Sequence, residues 1–221
     1  MTILRSLIHR GIEINNKLRK NKYLDIQKYQ YKTLRKLLFK SKNTEFGKKY
    51  SFDYILLSER KNERNLYSLY KKFIPIHDYS SIYKDWWSKG IKGESDIFCP
   101  GQVEYYALSS GTSEAASKQI PVSKQMFKAM QKASIRTIAP LIETKYGEQI
   151  FQHEILMIGG STNLNFGESS QNGDLSGIQA AKLPFWFHTY YRPGKNIASI
   201  KDWNQRIDEM VSHAATWDIG I

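Results

Sequence analysis

The chain of 221 residues is 41% hydrophobic and 24% charged, and its single cysteine is Cys99. This suits one large or two small folded domains with a sizeable core, argues against disorder, and excludes an internal disulfide and the cross-linked secreted scaffolds that need one. The net charge of +12 sits at one end, because residues 1–72 hold 19 Lys+Arg against 6 Asp+Glu while residues 73–221 hold 14 against 15.

Residues 2–20 place Leu4, Leu7, Ile8, Gly11, Ile12 and Leu18 on one helical stripe. Arg5, His9 and Arg10 interrupt the apolar residues, so the start reads as a helix and not as a signal peptide. No window approaches the ~20 apolar residues of a membrane span. A second helix is predicted from about Tyr23 to Lys40, with Ile26, Tyr29, Leu34, Leu37 and Leu38 facing in and the turn chemistry of Asn43–Gly47 stopping it. Shorter helices are predicted over Glu63–Phe73 and Tyr79–Lys89, and the Trp86-Trp87 pair of the latter reads as packing rather than as a stacking platform. The basic excess reads as solvated helix faces, with lysines spread around the helices and no tight run of five or more. The alternative is a non-catalytic nucleic-acid- or anion-binding protein.

From Val103 the pattern changes to alternating strands and helices. Val103–Leu108 reads as a strand. Ser123 caps a helix running to about Ile138, with Phe127, Met130, Ser134 and Ile138 on one face and Pro140 ending it. Ile155–Ile158 is continuously apolar, as a strand covered on both sides requires. Gly159-Gly160 ends it, and a loop rich in Ser, Asn and Gly follows to about Gly177. Ser199 with Asp202 resembles a capping box before a helix that lines up Trp203, Ile207, Met210, Val211 and Ala214. Thr216–Ile221 begins another strand. A basic, mainly helical stretch over residues 1–100 thus precedes β-loop-α units over 101–221, the pattern of an α/β enzyme.

Chemistry concentrates in Ser109–Lys118, which holds the hydroxyls of Ser109, Ser110, Thr112, Ser113 and Ser117, with Gly111 and Lys118. Successive N–H groups in such a turn make a concave anion site, to which hydroxyls add donors and the lysine a charge. This can hold a triphosphate although neither Gly-x-x-x-x-Gly-Lys-Ser/Thr nor Gly-x-Gly-x-x-Gly occurs. The competing reading is a plain serine-rich surface loop. His9, His77, His153, His188 and His213 show no metal-ligand spacing, so no metal site built by the chain is expected. A serine hydrolase would need Gly-x-Ser-x-Gly, which neither Gly160-Ser161 nor Ser109-Ser110-Gly111 provides.

Ser-Ser-Gly-Thr-Ser at 109–113, followed by Lys118 and Pro121, resembles the phosphate-binding motif of the auxin-responsive acyl-acid amido synthetases. These are members of the firefly-luciferase-like, adenylate-forming superfamily. Asn43-Thr44-Glu45-Phe46-Gly47-Lys48-Lys49-Tyr50 resembles the family's early segment, and Phe73-Ile74-Pro75-Ile76 with Tyr79 and Tyr83 resembles the stretch before the loop. Gly159-Gly160-Ser161 and Gly173-Asp174-Leu175-Ser176-Gly177-Ile178 look most like its bacterial branch. One departure is Ala115, where many members have a second glycine. The other is the absence of the later Tyr-x-Ser-Ser-Glu and Tyr-x-x-Gly-Asp motifs that meet adenine and ribose.

The resemblance implies the N-terminal part of the large domain of an adenylate-forming enzyme, incomplete, and inactive alone. ATP, with magnesium carried in by it, would activate a small carboxylic acid. An amine or amino acid would then take the acyl group, in the cytoplasm, with no specific nucleic-acid partner. Ser109, Ser110, Gly111, Thr112 and Ser113 would cradle the phosphates, and Lys118 would be the catalytic cation. Gly159, Gly160, Ser161, Thr162 and Asn163 would form a wall of the substrate pocket. The remainder of the enzyme is expected in a longer chain.

Overall fold

The computed structural model describes residues 10, 11, 14, 25–60, 65–109, 117–138, 140, 141, 144 and 152–220. They divide into a helical unit, Tyr23–Glu104 with Phe166–Ser170, and an α/β unit that includes Tyr105–Asn165 and Gln171–Ile221. The helix expected over residues 2–20 lies outside the described residues except at Arg10, Gly11 and Ile14.

In the helical unit, α1 (Ile26–Ser41) starts at Asp25, whose carboxylate accepts the Lys28 N–H at 3.0 Å. Its inward face is shorter than the apolar spacing predicts. Leu38 is buried and Leu34 partly so; Ile26 and Tyr29 are exposed because they precede the stretch that meets the core, and Leu37 is exposed because it points about 100° away from Leu38. Lys28, Lys32, Lys36 and Lys40 are exposed at four-residue spacing, so these lysines share one side of the helix instead of spreading around it.

The Asn43–Tyr50 segment builds a tight helix-to-helix corner. Thr44 is 1% exposed; its hydroxyl donates to the Ser41 carbonyl at 2.7 Å and accepts the Gly47 N–H at 3.0 Å, capping α2 (Glu45–Lys49). The N–H groups of Glu45 and Phe46, left over at the helix start, donate at 2.8 Å to the carbonyls of Asp96 and Ile97. Phe46 enters an aromatic cluster with Tyr50, Phe52, His77 and Trp86. The next helix, α3 (Phe52–Arg60), is absent from the sequence reading although Phe52, Ile55 and Leu56 have helical spacing. Together with Leu38 of α1 and Leu66 and Leu69 of α4 (Leu66–Phe73), these three form the buried core.

Helical segments Tyr79–Ile82, Tyr83–Trp87 and Ser88–Ile91 follow without a break and form α5, whose middle turn is π-helical. Trp86 is 8% exposed and meets Phe46 edge-on at 5.0 Å, as the packing reading requires. In the loop behind α5, Asp96 takes a left-handed φ of 58° and accepts the Gly101 N–H at 2.8 Å. Burial, and secondarily Asp96, pushes the Cys99 thiol up to about 11. At pH 8 its thiolate is then about one part in a thousand, against roughly a quarter for an ordinary cysteine. Iodoacetamide is expected to alkylate native Cys99 about two orders of magnitude more slowly than the unfolded chain. Comparable rates in the two states would show that the thiol is not shielded.

In the α/β unit, β1 (Tyr105–Leu108) pairs antiparallel with β2 (Gln119–Val122). Pro121 is tolerated because β2 is the edge of a four-stranded sheet in which β1 is followed by β5 (Gln171–Gly173) and then β4 (Asn165–Phe166). Ser123 accepts the Met126 N–H at 3.2 Å and starts α6 (Lys124–Ile138). A second, two-stranded sheet pairs β3 (Ile155–Leu156) in parallel with β6 (Tyr191–Arg192). The segment expected to be loop up to Gly177 instead holds β4 (Asn165–Phe166), β5 (Gln171–Gly173) and the start of α7 (Leu175–Ala181). Strands of two and three residues carry no alternation that could be read in advance. After β6 come α8 (Lys195–Ala198) and α9 (Trp203–Ala214). Asp202 caps α9 through the Gln205 N–H at 2.8 Å, whereas Ser199 ends α8. The stripe of α9 is also rotated from the expected one: Trp203 and Val211 are exposed, and Arg206 and Met210 are buried. The strand expected at 216–221 amounts to one parallel bridge between Ile219 and Glu154.

Candidate nucleotide and substrate site

The hydroxyl-rich segment is the connection of the β1–β2 hairpin. At its base the Ser109 N–H donates to the Lys118 carbonyl at 2.9 Å, and the Lys118 N–H returns to Ser109 Oγ at 3.3 Å. Ser109 keeps its own proton to donate. Ser110, Gly111, Thr112 and Ser113 lie outside the described residues. β1 runs parallel to β5, with Tyr105 opposite Gln171 and Ala107 opposite Gly173. The loop therefore leaves the carboxyl end of a parallel pair, beside Asp174 at the start of α7. Carboxyl ends of parallel strands are where open α/β sheets gather their ligands.

Gly159 and Gly160 sit at the carboxyl end of β3 and touch this same helix start. A Cβ on Gly160 would come within 2.3 Å of Asp174, and one on Gly159 within 2.9 Å of Ser176. From the other side, a Cβ on Gly177 would be 2.2 Å from the Ser161 carbonyl oxygen. The two segments interlock because Gly159 and Gly160 leave room for the Ser176 and Asp174 side chains and Gly177 leaves room for the Ser161 backbone. The Gly160 N–H donates to Ser176 Oγ at 2.9 Å. Ser161 Oγ donates to the Ser199 carbonyl at 3.0 Å and accepts the Asn163 N–H at 3.1 Å, and the Thr162 N–H donates to the Ala198 carbonyl at 2.9 Å. Ser161, Thr162 and Asn163 thus anchor the loop to its neighbours, and Gly159 and Gly160 are the members that line a cavity.

That cavity leaves about 30 Å³ of room for solvent between the Gly159-Gly160 loop, α7, β6 and α9. Ser176, Tyr191, Arg206 and Met210 also line it, and none of these four was singled out from the sequence as a site residue. Burial raises the pKa of the Tyr191 phenol, which stays a neutral O–H. Arg206 escaped notice because the apolar spacing of α9 favours the face that carries Trp203 and Val211.

The sequence profile of the GH3 family N-terminal domain matches residues 19–213. The chain belongs to the GH3 family. It corresponds to that family's N-terminal domain, as the loop and the Asn43–Tyr50 segment implied. A solved structure of GH3.15 acyl acid amido synthetase superposes with a TM-score of 0.63 at 16% identity, over 93% of this chain and 34% of that one. The shared property is the fold, and the chain spans about a third of the length of that structure. No curated protein sequence matches the chain significantly. On this GH3 scaffold the hairpin base and the interlocked glycines are fixed by backbone hydrogen bonds and close contact. Among the described residues no helix is long and apolar enough to cross a membrane, and no three metal-ligating side chains cluster.

Proposed function

We propose that this chain supplies the phosphate-binding part of an ATP-dependent acyl-acid amido synthetase. The observation that carries the reading is the hairpin base at Ser109 and Lys118, which presents a hydroxyl-rich connection at the carboxyl end of β1 in a GH3-family chain. ATP supplies the leaving group: a carboxylate oxygen attacks the α-phosphorus, the bond to the β-phosphate oxygen breaks, and pyrophosphate departs. An amine or amino acid nitrogen then attacks the acyl carbon, AMP leaves, and the nitrogen loses a proton.

The chain's own residues act by position and charge. Ser109 to Ser113 offer hydroxyls and N–H groups to the phosphates, and Lys118 offsets charge that builds on their oxygens. Magnesium enters with the nucleotide and needs no protein cage. Gly159 to Asn163 form a wall of the acyl or nucleotide pocket, with adenine and ribose contacts supplied by further chain. One cysteine with no partner in the sequence fits a cytoplasmic enzyme.

The test is carboxylate-dependent exchange of labelled pyrophosphate into ATP. A polypeptide extended through adenine and ribose motifs is expected to exchange, and the 221-residue chain is not. Exchange by the short chain would place the complete nucleotide site within it, and failure of the extended chain across a broad panel of acids would remove the adenylation reading.

A further inference from the structure

Arg206 is 3% exposed, yet among the described residues it makes no ion pair. Its Nη1 donates to the Ile200 carbonyl at 2.6 Å, and its guanidinium carbon lies 5.0 Å from the Trp203 ring centre. Its Nε is buried with no hydrogen-bond partner. A guanidinium cannot shed its charge by deprotonation, so a buried one needs an anion or full hydrogen bonding. Here it has neither, and it lines the cavity beside the Gly159-Gly160 loop.

The other side-chain polar groups that line the cavity, the hydroxyls of Ser176 and Tyr191, can donate to an anion. Ser176 Oγ accepts the Gly160 N–H and retains its proton, and the Tyr191 phenol is neutral. Asp174 touches Gly160 but does not line the cavity, so the charge met by an entering group is that of Arg206. One water needs about 10–15 Å³ of such solvent room, so about 30 Å³ takes two or so waters, enough for the two-oxygen head of a carboxylate, whose plane matches a guanidinium edge.

We infer that Arg206 holds a carboxylate group in this cavity, entering head first with the rest of its molecule outside. The site adjoins the Gly159-Gly160 loop read above as a wall of the acyl or nucleotide pocket, but its occupancy rests on Arg206 and is read out without any adenylation step. The carboxylate belongs either to a small acid or to an acidic side chain of a polypeptide, and the two present different atoms behind the head.

The test is thermal denaturation of the 221-residue chain in acetate, butanoate or N-acetylglutamic acid α-amide, each against equal chloride. At ten times its Kd a bound carboxylate is expected to raise the midpoint by about 3–6 °C, saturably. Stronger binding of butanoate assigns the site to a small acid, and stronger binding of the glutamyl mimic assigns it to a side chain. Arg206→Met is expected to abolish the shift while leaving the ligand-free midpoint equal to or above that of the parent, since an uncompensated buried charge has been removed. If no carboxylate gives a saturable shift beyond chloride, or if Arg206→Met leaves the shift intact, the inference is overturned. A Met variant that only loses stability, in a parent that ignores carboxylates, would reduce Arg206 to a support for the Ile200 carbonyl.

Discussion

Gly47→Ala is expected to lower the thermal midpoint of the chain by about 6–12 °C, from a destabilisation of about 3 kcal/mol. A Cβ at this position would lie 2.0 Å from the Ser41 carbonyl oxygen and 2.9 Å from the Lys42 Cα. Both are backbone atoms at the end of α1, so no side chain can swing aside to make room. The same carbonyl accepts the buried Thr44 hydroxyl, and Thr44 in turn caps Gly47, which ties the corner from two sides. Relief would have to come from moving α1 against α3, at the expense of core contacts around Leu38, Phe52 and Ile55. Gly101→Ala is the comparison, because Gly101 has a φ of +77° but nothing within 4 Å of the point a Cβ would occupy. It is expected to cost only the conformational penalty, about 1 kcal/mol. Equal midpoints for the two variants would mean that the corner yields and that Gly47 is not required by contact.

Lys118→Ala, in a polypeptide extended through adenine and ribose motifs, is expected to slow pyrophosphate exchange about 10- to 100-fold with little change in thermal midpoint. A charge-assisted contact to a phosphate is worth about 1.5–3 kcal/mol, one to two orders of magnitude in rate when realised mainly in the transition state. Thr112→Ala removes a neutral hydroxyl contact worth about 0.5–1.5 kcal/mol, which neighbouring donors partly replace. Ser109→Ala should act similarly on rate while also removing the acceptor of the Lys118 N–H at the hairpin base. Gly111→Val is expected to be the most damaging of the four, since a β-branched side chain blocks both a left-handed turn and close approach of a phosphate. The experiment compares initial exchange rates at saturating ATP, with midpoints as the folding control. A Lys118→Ala enzyme that exchanges at the parental rate would reduce the segment to an ordinary hairpin connection.

The helical unit is largely readable from sequence because helix periodicity and caps are local. The helices at Ile26–Ser41, Leu66–Phe73 and Tyr79–Ile91 overlap the predicted spans, the first two starting three residues later than expected, and Trp86 packs inward as expected. α3 escapes such a reading because nine residues between two turns give a weak periodic signal. Which face a helix buries is harder. Ile26 and Tyr29 have the right spacing, but burial depends on how far along the helix a neighbour extends. The candidate site divides in the same way. The hydroxyl loop is legible as composition beside one lysine, whereas its place at the end of a parallel strand pair requires β5, whose three residues Gln-Asn-Gly carry no strand signature.

Residue pattern alone determined the α/β class and the family resemblance. Those properties rest on local propensity and on short motifs that keep their meaning at fixed spacing. Only the tertiary structure decided why the glycines at 47, 159, 160 and 177 stand where they do, since each faces atoms remote in sequence or across a turn. It also decided that α9 buries Arg206 and exposes Val211. Hydropathy would put the valine inside. A buried guanidinium is stabilised by particular partners, here the Ile200 carbonyl and the Trp203 ring, and where those partners meet is set by how α8, α9 and β6 are assembled rather than by periodicity along one helix.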